Sequence, residues 1–449
     1  MNTKIFKSYD IRGIYPSEIN EETVEAIGRA TVLKLGAKVL AIGRDNRTSS
    51  PALFAALVRG ITTQGASVID IGLTTTPMVY FASHILPVDG AISLTASHNP
   101  GQYNGLKICL HDAVPLGLTT GLAEIRDIAQ EKNFPTPINV GTITTKNISE
   151  EYFAFIQTFA DFQDSDFQIA IDPAHSMGVL ELPLYKKFTN IAITKLLYGT
   201  LEEPGTCPHE ANPLQSETLT ELRAAVLSSG ADIGIAYDGD ADRIGFVDEH
   251  GETLPMDLVT AIIAPEILKR HPGATILYDL RSSLSVKEEI ERAGGIAHEC
   301  KVGHANIKRQ MRDEGAVFAG ELSGHYYFNE GYAAEMGSLP AILLMNIMAT
   351  TGKKLSELVA GVKRYAHSGE INMEIAGASE LMEKVKAHYT DGKLDELDGI
   401  KISYPDWWFS LRASNTEPLL RLNSEGTTRE TMEKKRDLLL TFIKENSAA

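Results

Sequence analysis

Cysteine is scarce in this chain of 449 residues: Cys109, Cys207 and Cys300 are far apart and odd in number. They form neither a disulfide framework nor a metal knuckle, so a reducing compartment is expected. No apolar run approaches the length of a membrane span. The opening Met1-Asn2-Thr3-Lys4-Ile5-Phe6-Lys7 lacks the stretch of a signal peptide. The expectation is a cytoplasmic protein without a membrane partner. Positive charge is in deficit, 42 Lys and Arg against 59 Asp and Glu, a net charge of -17. That balance argues against nucleic acid as a partner. It does not exclude an anionic ligand, because binding follows the local potential in a cleft. Basic residues are then expected to cluster around one site. Low-complexity tracts and tight repeats are also missing.

Hydrophobic residues make up 43% and charged residues 22%, ordinary values for a globular protein. The length suggests three or four domains. Helix-like and strand-like stretches alternate early: helix 21–35, strand 39–42, helix 51–64, strand 66–71, helix 77–86 and strand 90–94. Such alternation predicts a mostly parallel sheet. Residues 132–148, polar with Pro135 and Pro137, read as a linker. A second unit follows with strands 168–172, 191–197 and 233–237. A third has strands 274–280 and 316–319 and long helices near 333–350 and 354–364. From about residue 369 the order becomes α+β. The expected fold is therefore α/β: three similar mixed α/β domains (1–147, 148–253, 254–366) and a C-terminal α+β domain (367–449) around a central cleft.

An apolar strand ends in a chemistry-bearing loop at Ser97, at Asp238 and at Glu321. The first such strand, 90–94, stops at Thr95-Ala96-Ser97-His98-Asn99-Pro100. Pro100 removes a backbone donor and pushes Asn99 toward extended geometry. A serine hydroxyl is left at the carboxyl end of a strand, where open α/β sheets bind ligands. It needs a base or a metal to become a nucleophile. A capping turn is the bland alternative. Arg44 and Arg47 lie on a loop before a helix, which suits either an anion or a plain solvated cap.

The strongest unaided signal is Tyr237-Asp238-Gly239-Asp240-Ala241-Asp242-Arg243. In an extended segment three carboxylates two apart share one side. They repel unless a cation compensates, and oxygen ligation suits Mg2+. A calcium EF-hand is the rival. It wants Gly at its sixth position, where Arg243 stands, and flanking helices rather than strands. Gly320-Glu321-Leu322-Ser323-Gly324-His325 offers a carboxylate and a hydroxyl on a glycine-flanked turn. Arg412-Ala413-Ser414-Asn415-Thr416-Glu417-Pro418 offers an arginine, hydroxyls and an amide, the makings of a phosphate cradle or of a polar hairpin. Tyr9, Arg12, Lys107, Arg281 and Lys301-Val302-Gly303-His304 complete the set. His304 suits acid–base work near neutral pH or a structural role.

These loops, with Tyr103-Asn104-Gly105-Leu106-Lys107 after the serine turn, resemble those of the α-D-phosphohexomutases, in the same order along essentially the whole chain. The resemblance implies a phosphoserine at Ser97 and Mg2+ held by Asp238, Asp240, Asp242 and an oxygen on Ser97. It implies catalytic roles for Ser97, Arg12, Lys107 and His304, and sugar contacts from Glu321 and Ser323. Further substrate contacts are expected from Tyr9, His98, Arg243, Arg281, Gly303 and His325. A phosphate clamp is expected from Arg412, Ser414, Asn415 and Thr416. Arg281 stands where some relatives have lysine, and Ala333-Ala334-Glu335-Met336-Gly337 departs from an acidic Asp-Gly-type segment. Asn415 fits the phosphomannomutase/phosphoglucomutase branch better than the phosphoglucosamine branch. The expected activity interconverts hexose 6-phosphate and hexose 1-phosphate, mannose before glucose, through a hexose 1,6-bisphosphate. The expected protein is a monomer or homodimer. A phosphoglucosamine mutase, a Mg2+-dependent phosphatase and a silent sugar-phosphate binder are the alternatives.

Overall fold

The computed structural model describes residues 1–202, 206–375, 377–413 and 419–447. The first sheet runs in the order Ile11–Ile14, Tyr103–Leu110, Gly90–Leu94, Val39–Arg44, Ser67–Leu73 and Ile143–Thr145. Gly90–Leu94 is buried along its whole length, which is why it reads as an unbroken apolar run. It lies parallel to Val39–Arg44 and antiparallel to Tyr103–Leu110. The sheet is mostly parallel, as the alternation predicted, and Tyr103–Leu110 is the antiparallel strand that makes it mixed. Asn-Gly is a common turn pair, yet Asn104-Gly105 sits inside a strand, opposite Gly13 and Arg12. Tertiary burial overrides the local signal.

Helix boundaries follow their caps. Glu21–Leu35 starts at Asn20, whose side chain accepts from the Thr23 amide, and stops at Gly36 in the left-handed region. The helix expected from 333 begins six residues later, as Leu339–Thr351. Tyr332 and Ala333 have positive φ, and Ala334–Glu335 adds a short strand beside Tyr326–Phe328. Pro340 then opens the first turn, where its missing donor costs nothing. The linker also differs from expectation. Ile143–Thr145 pairs with Val68–Asp70 at the sheet edge, and three exposed residues give no alternation to read.

The second sheet is ordered Ile244–Asp248, Ile233–Tyr237, Phe167–Asp172 and Ile191–Leu196. The third runs Ile296–Cys300, Thr275–Asp279, Phe318–Gly320, Tyr326–Phe328 and Ala334–Glu335. The fourth is antiparallel. It centres on Leu419–Gly426 and Trp407–Ala413, with Ala378–His388 and Arg429–Asn446 packed against it. Gly90–Leu94, Ile233–Tyr237 and Phe318–Gly320 thus each end just before one of the three loops singled out above. One apolar cluster runs through all three α/β units, from Met78 through Ile233 and Phe246 to Val259 and Leu339. The fourth unit has its own core around Val385, Phe409, Leu422 and Leu439. Among the described residues, no helix is long and apolar enough to cross a membrane.

The second unit carries a pH-sensitive tie. His209 Nε2 lies 3.0 Å from Asp172 Oδ2, and its Nδ1 lies 2.9 Å from the Glu210 carbonyl oxygen. Burial disfavours the imidazolium, but its hydrogen bonds outweigh burial and raise the group from 6.5 to about 11. Its stabilisation is full below the unfolded value and declines as pH rises toward the folded one. The wild type should melt above His209→Asn at pH 6, with the gap closing toward pH 10. A gap independent of pH would contradict the assignment.

Candidate active site

Ser97 sits at the end of its strand with φ 52°, a left-handed conformation unusual for serine. The turn is clasped by Arg47, which is 4% exposed. Its guanidinium donates to the carbonyls of Ser97 (2.8 Å), Asn99 (2.6 Å), Pro100 (2.8 Å) and Tyr103 (2.9 Å), and Nε donates to Asp45 at 3.0 Å. Arg47 therefore neither binds an external anion nor belongs to a solvated cap, the two readings its sequence suggested. It satisfies the carbonyls that a broken strand leaves over. Nothing local in the sequence pointed to carbonyls about 50 residues away. Arg44 instead pairs with Asp70 at 3.0 Å and lies over the Phe54 ring.

The acidic loop meets this turn directly. Ser97 Oγ donates to Asp238 Oδ2 at 2.8 Å and lies 3.1 Å from His98 Nδ1. Gly239 allows the approach, since a Cβ there would stand 2.2 Å from the Ser97 carbonyl oxygen. The three carboxylates converge, with one oxygen of each within 4.8 Å of the others. They do so by a different route from the extended strand expected. The Ala241 amide donates back to the Asp238 carbonyl, and Ala241 has φ 57°, so the segment is a turn. Lys107 Nζ donates to Asp240 (2.7 Å) and Asp242 (2.6 Å). Thr76 Oγ1 donates to Asp240 at 2.6 Å.

The charge balance of this turn is incomplete. Burial, then Asp242 and Asp240, raise Asp238 to about 8. Among the described residues, Asp240 Oδ1 is buried without a hydrogen-bond partner. An orphaned carboxylate oxygen beside two further carboxylates and a hydroxyl is a hard, all-oxygen donor set, which fits a divalent cation of the Mg2+ type.

The third unit completes the near side. His325 Nδ1 lies 2.9 Å from Glu321 Oε2 and 2.9 Å from Ser323 Oγ, and its Nε2 lies 3.3 Å from Asp242 Oδ1. Burial opposes its charge, but Asp242 and then Glu321 outweigh that and raise it to about 9. Arg243 Nε is 3.3 Å from His325 Nε2. Glu321 also accepts from the Gly303 amide (3.2 Å) and from the Tyr327 hydroxyl (3.1 Å). Gly303, with φ 110°, packs on Tyr9, whose ring atoms would be 2.7 Å from a Cβ there. Tyr9 meets the His304 ring edge-on at 5.7 Å. Burial, then Lys308 and Lys107, push His304 well below its ordinary value, so it is neutral at pH 7. Its buried Nδ1 has no hydrogen-bond partner among the described residues.

The remaining residues are placed less uniformly. Arg12 pairs with Asp10 at 2.6 Å and donates to the Asn99 side chain. Arg281 is heavily committed, to Asp279 (2.8 Å), Glu370 (3.1 Å) and Glu321 (3.4 Å). Arg412 is half-buried, 3.9 Å from Asp398, while Ser414, Asn415 and Thr416 lie outside the described residues. A cavity of about 870 Å3 opens between the first two units, lined by Ser97, His98, Arg47 and Gly239 together with His209; Glu321 and Arg412 are not among its lining residues. Gly239→Ala should separate the serine and acidic turns. The expected cost is about 1–3 kcal/mol of stability and a larger proportional loss of turnover than of melting temperature, read by calorimetry beside kinetics.

Comparison with known proteins identifies the family. Four profiles of the phosphoglucomutase/phosphomannomutase family match: alpha/beta/alpha domain I over residues 3–136, domain II over 150–251, domain III over 255–365 and the C-terminal domain over 370–440. A phosphomannomutase of Methanocaldococcus jannaschii is 39% identical over 446 residues, covering 98% of this chain and 97% of the relative. A phosphomannomutase of Escherichia coli K12 is 35% identical over 451 residues, covering 98% and 99%. The crystal structure of a phosphoglucomutase/phosphomannomutase family protein from Burkholderia thailandensis superposes with a TM-score of 0.90 at 28% identity, covering 100% of this chain and 99% of that one. Four matched domains in family order, with relatives 35% and 39% identical over nearly the whole chain, place this chain in the phosphoglucomutase/phosphomannomutase family of the α-D-phosphohexomutases, isomerases that act as intramolecular phosphotransferases.

Proposed function

We propose that the protein interconverts hexose 6-phosphate and hexose 1-phosphate, with mannose as the principal sugar and glucose as a second, and that Ser97 carries the transferred phosphoryl group. The observation that carries the reading is the 2.8 Å contact of Ser97 Oγ with Asp238, across 141 residues of sequence, beside a lysine that bridges the other two aspartates. Names of the full-length relatives support the mannose preference.

In the forward half-reaction the P–Oγ bond of phosphorylated Ser97 breaks and a bond forms to the free O1 or O6 of the bound sugar phosphate. The proton of that hydroxyl goes to a base. A neutral His304 with a free, buried Nδ1 suits this task. The product is a hexose 1,6-bisphosphate. It turns end for end and returns its other phosphate to Ser97. Lys107 and Arg12 offset charge at the reacting phosphate. Asp238, Asp240, Asp242 and an oxygen on Ser97 would hold Mg2+, which supplies Lewis-acid charge to the phosphoryl group. Glu321, Ser323 and His325 would grip the sugar hydroxyls in either orientation. Arg412 and the segment after it would hold the phosphate that is not reacting. The fourth unit, with its separate core, would swing to admit substrate and exclude water.

Intact mass measured before and after glucose 1,6-bisphosphate should show one added phosphoryl group on the wild type and none on Ser97→Ala. Mutase turnover of Ser97→Ala should fall by at least about a thousandfold. Full turnover in that variant would rule out the phosphoenzyme. Stoichiometric release of inorganic phosphate would make the protein a phosphatase instead. Comparing kcat/KM for mannose 1-phosphate, glucose 1-phosphate and glucosamine 1-phosphate on one preparation decides the sugar.

A further inference from the structure

Behind the acidic turn lies a fully buried carboxylate that the proposed chemistry does not use. Glu181 closes the short helical segment Met177–Glu181 and has no exposed surface. A carboxylate is rarely left in such a place without several donors. Its donors come from different units. Ser338 Oγ, from the third unit, donates to Oε2 at 2.8 Å. Thr75 Oγ1, from the first, donates to Oε1 at 3.2 Å. Burial raises the carboxyl to about 7, against the pull of Ser338 and Thr75. The Tyr152 hydroxyl faces the same group.

Each donor stands next to part of the acidic turn. Ser338 Oγ lies 2.6 Å from the Tyr237 hydroxyl, which lies 2.5 Å from that of Tyr185. An ionised Glu181 only accepts, so it orients this chain of hydroxyls from Tyr185 through Tyr237 to Ser338. Tyr237 immediately precedes Asp238. Thr75 immediately precedes Thr76, whose amide donates to the Asp240 carbonyl (2.9 Å) and whose hydroxyl donates to the Asp240 carboxylate (2.6 Å). The segment leading to Glu181 grips the residue between them. Ser176 Oγ and the Met177 amide both donate to the Gly239 carbonyl, at 2.6 and 3.2 Å.

We infer that Glu181 is a positioning residue for the metal turn: by fixing Ser338 and Thr75 at the junction of three domains, it sets the aim of Asp238 and Asp240. The inference rests on the acidic turn being the cation site. Partners behind metal ligands commonly change metal affinity when removed. A purely structural side chain would lower melting temperature without that change.

The test is Mn2+ binding to the full-length protein, followed by paramagnetic resonance of the free ion, beside thermal melts. Glu181→Leu, which removes both acceptors, should weaken Mn2+ binding about tenfold. Glu181→Gln, which keeps the shape and one acceptor oxygen, should fall between that variant and the wild type. Wild-type affinity in both variants, whatever the melting temperature, overturns the inference. If Glu181→Leu fails to give a cooperative melt, Glu181→Gln decides by the same reading. Asp240→Asn serves as control. A wild type whose Mn2+ binding is absent or untouched by Asp240→Asn overturns the metal assignment together with the inference, a result distinct from unchanged affinity in the Glu181 variants.

Discussion

Three carboxylates closed into one dry turn cannot stand together without compensating charge, and the centre of this molecule is arranged around that constraint. At separations under 4.8 Å each pair repels by about 3–4 kcal/mol at the effective dielectric of a protein. Lys107 answers two of them, His325 faces one, and the Ser97 hydroxyl donates to the third. The net charge of -17 is thus compatible with the phosphate-binding centre proposed above. Cations are concentrated where the acidic turn demands them.

Rigidity is distributed to suit. The first three units share a continuous apolar core, so the serine, the aspartates and Glu321 sit on one packed body. The fourth unit meets that body largely through polar contacts. Lys401 reaches the Leu280 carbonyl and Glu299, Arg281 pairs with Glu370, and the Leu284 amide donates to Glu425. Apolar interdigitation resists sliding, whereas ion pairs exchange with water at modest cost. The proposed chemistry, with fixed charges and an intermediate that turns end for end, would place opposite demands on a fold. Here a shared core serves the first and a polar seam suits the second.

Much of the site was legible because it lies at strand ends. The loops at Ser97, Asp238 and Glu321 each follow a short apolar run, and such runs are visible without coordinates. The convergence of the aspartates was foreseen, but through alternation along a strand. A left-handed Ala241 folds the segment back instead, and alanine carries no signal for that conformation. Arg47 was visible but its partners were not, because backbone carbonyls have no letter in a sequence. Glu181 escaped notice for a related reason. It lies among Leu180, Leu182 and Pro183, with no polar neighbour to mark it. The strand Ile143–Thr145 and the late start of Leu339–Thr351 were missed where exposed or strained residues break the period.

The sequence alone determined most of the elements, the four-unit order and the chemical character of each loop, because these follow from local periodicity, caps and residue type. Tertiary structure alone decided which groups touch: Ser97 on Asp238, Arg47 on four carbonyls, Glu181 between Ser338 and Thr75. Those contacts depend on how separately formed layers settle against one another. That is governed by the packing of whole surfaces, which no short window of residues records.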